Sequence, residues 1–188
     1  MKKYILQSIR LTLVLTVLLC VIYPVFIAYV GKLSKGQGNG ETITVNGKVV
    51  GYANIGQKFD KDGYFWSRPS AVAYNAAGSG GSNKGPSNPD YLKDVEGRIQ
   101  NFLKHDPGVK RAQIPADLVT ASGSGLDPDL SPEAVQVQTA RIAKARNLSV
   151  QQVSELVNQH IEKPLLGFFG PAKVNVLKLN VALDALKK

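Results

Sequence analysis

Leu11–Val30, LTLVLTVLLCVIYPVFIAYV, runs about twenty residues without a charge, and its reading decides how the rest of the chain is organised. At about 1.5 Å per residue, a helix of that length spans the roughly 30 Å hydrocarbon core of a bilayer. Thr12 and Thr16 can return their hydroxyls to backbone carbonyls of the preceding turn, and Pro24 predicts a kink of the sort membrane helices tolerate. A cleaved signal peptide fits less well. Its apolar region is about 7–15 residues long and closes on a small-x-small pair. Here Ala28 is followed by Tyr29, Val30 and Gly31, and Leu18-Leu19 are too bulky to make Cys20 a lipidation site. The expectation is a retained anchor.

Outward from the span, Lys2, Lys3 and Arg10 precede it and Lys32 and Lys35 follow. This slight cationic bias predicts a cytoplasmic segment 1–10, a transmembrane helix 11–30, a flexible tether 31–40 (GKLSKGQGNG) and an extracytoplasmic domain 41–188. The lone Cys20 lies in the span, so the domain has neither disulfide nor thiol. Three of the 23 Lys and Arg precede the span, which leaves 20 against 14 acids and a domain near +6. These cations are scattered, with only Lys110-Arg111 and Lys187-Lys188 adjacent, and no basic run is interleaved with aromatics. The pattern argues against a nucleic-acid partner and for a solvated surface near acidic lipid headgroups.

Within the domain, Asn46-Gly47 between β-branched runs predicts a hairpin with strands near 42–45 and 48–55. Tyr64-Phe65-Trp66 is a short apolar stretch ended by Arg68-Pro69. A Gly/Ser/Asn-rich loop over 75–89 leads to Asn88-Pro89, a cap and first helical residue, and a helix to about Lys104. Ser131-Pro132 opens another helix, expected to run to Arg146 with Val135, Ile142 and Ala145 on one face. Ser149 with Gln152 forms a capping box for a helix to about Ile161. Lys163-Pro164 and Gly170-Pro171 bracket a turn, and Asn175 can cap a final helix striped by Val176, Leu179, Leu183 and Leu186, although Leu177, Leu179, Val181 and Leu183 also alternate as in a strand. The fold class is α+β: a β-hairpin and four to five helices in a small domain on one N-terminal transmembrane helix.

Catalytic chemistry does not assemble from these residues. His105 and His160 are the only histidines, which leaves no set of metal ligands. Asp127-Pro128-Asp129-Leu130-Ser131 starts like a calcium loop, but Pro132 stands where Gly is required and Gln138 where the bidentate Glu belongs. Asp127 and Asp129 are read instead as turn formers and Ser131 as a cap. Ser124 has Ser122 where a nucleophile elbow requires Gly. Gly78–Gly85, GSGGSNKG, nearly fits a phosphate loop, yet Asn83 replaces the second Gly and Gly85 the hydroxyl residue. No strand precedes it and no helix follows directly. An ordered, self-bonded binding loop is expected there.

Taken together, IGQKF (55–59), YFWSRPSAVAYN (64–75), SGGSNKGPSNP (79–89), DLVTASGSGLDPDLSPEAV (117–135), ARIAKARNLS (140–149) and VNVLKLNVALD (174–184) resemble, in order and spacing, the C subunits of bacterial Kdp-type potassium-transporting ATPases. Asp129 departs from the family's usual His or Asn. The resemblance implies a non-catalytic chain in a complex that imports potassium at the expense of ATP. Its implied partners are a channel-like potassium-translocating subunit, a P-type ATPase subunit and a small single-span subunit. It also implies, through the family's proposed role as a catalytic chaperone that raises ATP affinity, a nucleotide contact at Gln138. An extracytoplasmic domain is separated from ATP by the bilayer, so Gln138 is read physically as bonding a neighbouring loop or subunit. No resident cofactor or metal is expected. Interface residues are expected at Tyr64, Phe65, Trp66 and Arg68, since aromatic and Arg side chains dominate binding hot spots, with a core strand ending at a surface Arg as the equal alternative for the three aromatics. The polar loop adds Ser79, Gly80, Gly81, Ser82, Asn83, Gly85 and Asn88.

Overall fold

Asn46 and Gly47 adopt φ of 49° and 77°, the left-handed pair that a two-residue hairpin turn demands. They join β1 (Thr42–Val45) to β2 (Lys48–Tyr52). β2 is shorter than expected, because Ala53–Ile55 already turn away and Gly56 N–H donates to Leu126 O at 2.7 Å. The computed structural model describes residues 2–186, apart from the side chains of Lys2 and Lys3, so Lys187-Lys188 lie outside it. The chain divides into two units, Met1–Thr42 and Ile43–Lys188.

The first unit is helical through α1 (Lys2–Val17), a π turn (Leu18–Ile22) and α2 (Tyr23–Gly31). Among the described residues this is the one helix, Tyr4–Gly31, long and apolar enough to cross a membrane. The interruption expected at Pro24 takes the form of that π turn, in which Tyr23 N–H reaches back to Leu18 O. Widening just ahead of Pro24 eases the ring's contact with the carbonyl one turn back. Side chains from Tyr4 to Val30 are all exposed, as a lipid-solvated helix requires. Residues 31–40 form consecutive turns, with Ser34 Oγ on Gly31 O at 2.7 Å.

The second unit is the α+β domain. Its helices are α3 (Pro89–His105), α4 (Pro132–Gln136), α5 (Thr139–Arg146), α6 (Val150–Gln159) and α7 (Val176–Ala185). The expected caps are in place. Asn88, Ser131, Ser149 and Asn175 accept from the N–H groups of Tyr91, Ala134, Gln152 and Lys178. A second two-stranded pair, β3 (Asp129–Leu130) and β4 (Val174–Asn175), runs antiparallel with Asp129 opposite Asn175.

The helix expected from Pro132 to Arg146 is broken. At Val137–Gln138 the winding tightens, Gln138 N–H donating to Val135 O, and α5 restarts in a new phase. Val135 and Ile142 remain in the core, but Ala145 is exposed and Ala143 takes the buried position. Likewise Leu186 is exposed while Leu179 and Leu183 are fully enclosed. Phe65, Phe102, Val153, Val157 and Val174 complete the centre of the core.

Candidate functional site

Tyr64-Phe65-Trp66 belongs to no strand, so its backbone donors and acceptors need partners elsewhere, and side chains supply them. Asn180 on α7 takes the Phe65 N–H at 2.9 Å on Oδ1 and donates Nδ2 to Phe65 O at 3.0 Å. Gln138 accepts the Trp66 N–H at 2.8 Å. Arg141 on α5 donates Nη1 to the carbonyls of Asp62 (2.7 Å) and Tyr64 (3.1 Å). Arg146 donates Nε to Gly63 O at 2.5 Å. Polar side chains from α5, its N-cap and α7 thus clamp residues 62–66, doing the work that a neighbouring strand does in a sheet.

Arg141 is the hub. Its Nε meets Asp106 Oδ2 at 2.8 Å, its Nη2 meets Gln138 Oε1 at 2.7 Å, and its guanidinium lies 4.5 Å from the Trp66 ring centre. The Arg141 and Asp106 side chains are 4% and 2% exposed, so this is a desolvated ion pair. Burial pushes the Asp106 carboxyl above its ordinary range, with Arg141 pulling it back. Beside it, His105 Nδ1 and Asp62 Oδ1 are 2.7 Å apart, and His105 packs edge-on against Trp66. A cavity of about 550 Å³ opens here, faced by Asp62, His105, Asp106, Val109, Arg141 and Lys144. Apart from Lys144, the polar side chains facing it are engaged with one another, Asp62 with His105 and Asp106 with Arg141.

The polar loop forms a second feature, a platform of two loops. Gly80 N–H and Ser79 Oγ both donate to Ser124 O, at 2.8 and 3.0 Å. Ser124 and Ser122 in turn accept from Leu126 N–H and Gly125 N–H. Gly80 and Gly81 are half-buried against residues 123–125, and Ser82, Asn83 and Gly85 are exposed. Asn88 serves as the α3 cap, which leaves its Oδ1 engaged. Arg68, 27% exposed, pins this assembly with Nη1 on Asp127 Oδ2 at 2.8 Å, and its carbonyl accepts the Tyr74 hydroxyl at 2.7 Å. Burial pushes that phenol up to about 12.

Gly125 is the keystone of the platform, at φ +67° with Gly80 O and Val72 against the place a Cβ would occupy. Gly125→Ala is expected to cost about 1–3 kcal/mol through left-handed strain alone. It should also free the loop, so trypsin would cut after Lys84 faster than in the parent chain at equal temperature.

The sequence family model described as KdpC: K+-transporting ATPase, c chain, matches residues 5–185. The chain belongs to the KdpC family. Similar proteins include the potassium-transporting ATPase KdpC subunit of Flavobacterium psychrophilum, 56% identical over 185 residues, 98% of this chain and 100% of that one. Those of Bacteroides fragilis (50% over 188 residues, 98% of each chain) and Caldanaerobacter subterraneus (48% over 190 residues, 100% of this chain and 98% of that one) are also close. The KdpC subunit is a component of a potassium-transporting ATPase complex.

In this KdpC chain Gln138, offered by the resemblance as a nucleotide contact, has no exposed surface. Its Nε2 donates to Ala134 O at 2.9 Å and its Oε1 holds Trp66 N–H and Arg141. It bonds a neighbouring loop, the physical role read from its sequence position. Phe65 is likewise fully enclosed and offers no surface to a partner, whereas Tyr64, Trp66 and Arg68 are half-buried. Asp129, the departure from the family pattern, pairs with Lys173 at 2.6 Å and holds that amine above its usual pKa. Arg141, Asp106, Arg146 and Asn180 were not among the residues singled out from sequence. Asn180 carried a readable signal, since it sits among the apolar residues of VLKLNVAL with no other reason to be polar.

Proposed function

We propose that the chain is a non-phosphorylated accessory subunit of the potassium-importing ATPase, with its folded domain outside the cytoplasm. In this reading it stabilises the assembled complex and shapes access to the potassium-translocating subunit. The P-type ATPase subunit and the small single-span subunit are its other partners. The two-loop platform is the contact surface, with Ser82, Asn83 and Gly85 outward and Arg68 pinning its base, and the half-buried Tyr64 and Trp66 of the clamped segment offer a further contact.

The observation that carries this reading is the enclosure of Gln138. A side chain whose amide is already bonded to Trp66, Arg141 and Ala134, without exposed surface, has no free group to give a nucleotide. A role in raising the ATP affinity of the P-type ATPase subunit would have to act through another part of the chain, and from the cytoplasmic side.

Topology tests it. In a Cys20→Ala background, Ser87→Cys places one thiol on the exposed platform loop. Labelling of intact cells by a membrane-impermeant thiol reagent is the expected result. Labelling only after permeabilisation would put the domain beside ATP and overturn the proposal.

A further inference from the structure

Between Lys163 and Pro171 the chain makes a closed turn, PLLGFFGP, whose large side chains all avoid the core. Leu165, Leu166, Phe168 and Phe169 are 70%, 75%, 71% and 57% exposed. The turn has a defined shape. Leu165 and Phe169 exchange both backbone hydrogen bonds, at 3.0 and 2.9 Å, and Gly167 N–H donates to Pro164 O at 2.9 Å. Leu166 and Gly167 sit at φ 55° and 83°, and the Phe168 and Phe169 rings pack with centroids 4.2 Å apart. At its base, Glu162 and Lys173 pair in a second antiparallel bridge.

We propose that this turn is a second membrane contact, inserting its Leu and Phe side chains into the bilayer that holds the anchor. An exposed apolar cluster of this kind needs a cover, and three observations favour lipid. The N–H groups of Leu165, Gly167, Phe168 and Phe169 are bonded inside the turn, so entering hydrocarbon leaves these donors paired. The tip carries no acid, and Lys163 at its edge suits acidic headgroups. The third is chain length: about ten residues join the apolar helix to β1, a reach of roughly 35 Å when fully extended. Such a short tether keeps the bilayer at high effective concentration, so a few apolar side chains suffice. The proposal rests on Tyr4–Gly31 spanning the membrane.

The test uses the full chain in nanodiscs of phosphatidylcholine and phosphatidylglycerol. An environment-sensitive fluorophore is placed at Phe168→Cys or at Ser87→Cys, both in the Cys20→Ala background, or at native Cys20. Lipids carrying a nitroxide near the headgroup end or near the methyl end of the acyl chain act as shallow and deep quenchers, the deep one matching the mid-span position of Cys20. The expected result is blue-shifted emission at position 168 and loss of most of it to the shallow quencher, with Cys20 quenched by the deep one and water-like, unquenched emission at position 87. Adding Leu165→Ser, Leu166→Ser and Phe169→Ser should return position 168 to the behaviour of position 87. Water-like emission at 168 with Cys20 quenched would overturn the proposal and leave the anchor standing. Protection at 168 that arises only when the other subunits are added, without quenching, would assign the turn to a protein partner and overturn it too. An unquenched Cys20 would overturn the anchor and the proposal together.

Discussion

Arg141→Met should lower the unfolding free energy of the domain by about 3–5 kcal/mol, the usual cost of removing one partner from a buried ion pair. The loss is large because one guanidinium serves four groups. Asp106 loses its counter-charge in a buried site, Asp62 O and Tyr64 O lose a donor, and Gln138 Oε1 keeps only the Trp66 N–H. Denaturant unfolding of the full chain in detergent, followed by circular dichroism, measures it. The sign of the pH dependence follows from Asp106. Burial already raises its carboxyl, and without Arg141 nothing as close opposes that rise. A carboxyl with a raised folded pKa favours folding below its unfolded value of about 3.9, and that contribution is lost as pH climbs through the folded pKa. The deficit of Arg141→Met should therefore narrow on acidification. Adding Asp106→Leu should recover part of it at neutral pH, since an apolar replacement removes the orphaned charge.

Asn180→Leu should cost about 2–4 kcal/mol although it preserves side-chain volume. The Phe65 N–H and C=O have Asn180 as their partner, both in a site closed to water. A leucine fills the space and bonds neither. Because packing is nearly conserved, the loss reports unpaired backbone groups and not a cavity. Amide hydrogen exchange distinguishes the two: the Phe65 N–H should exchange much faster in the variant than in the parent, while the amides of α6 lag behind it. Equal protection at Phe65 in both chains would show that the clamp is not what holds this segment.

Local chemistry was legible in the sequence wherever one short segment decides the outcome. Asn46-Gly47 selects the hairpin turn because few residues accept positive φ, and the four caps are side chains bonding N–H groups three residues on. The apolar run announces the long N-terminal helix by length and composition alone. What escaped depends on distant partners. The break between α4 and α5 follows from Gln138, whose amide turns inward to Trp66, 72 residues away, and no helical periodicity encodes that pull. β3 and β4 are two residues each, too short to show alternation. At the candidate site, the polar character of residues 78–85 and 122–125 was readable, but their docking on each other rests on carbonyls, which all residues carry. Phe65 could be read equally as an interface or a core aromatic, because composition does not distinguish a ring facing a partner from one facing the core.

The clamp on residues 62–66 also sets an order of events during synthesis. Its bonds join that segment to residues from 72 to 115 positions further along the chain. A ribosome delivers the apolar helix first and Asn180 near the end, and loop closure over such separations is slow. Tyr64 O and Trp66 N–H can meet Arg141 and Gln138 earlier, but the Phe65 N–H and C=O wait for Asn180 until α7 has emerged. A chain stalled before α7 leaves the Phe65 backbone without its partner and the core without Leu179 and Leu183.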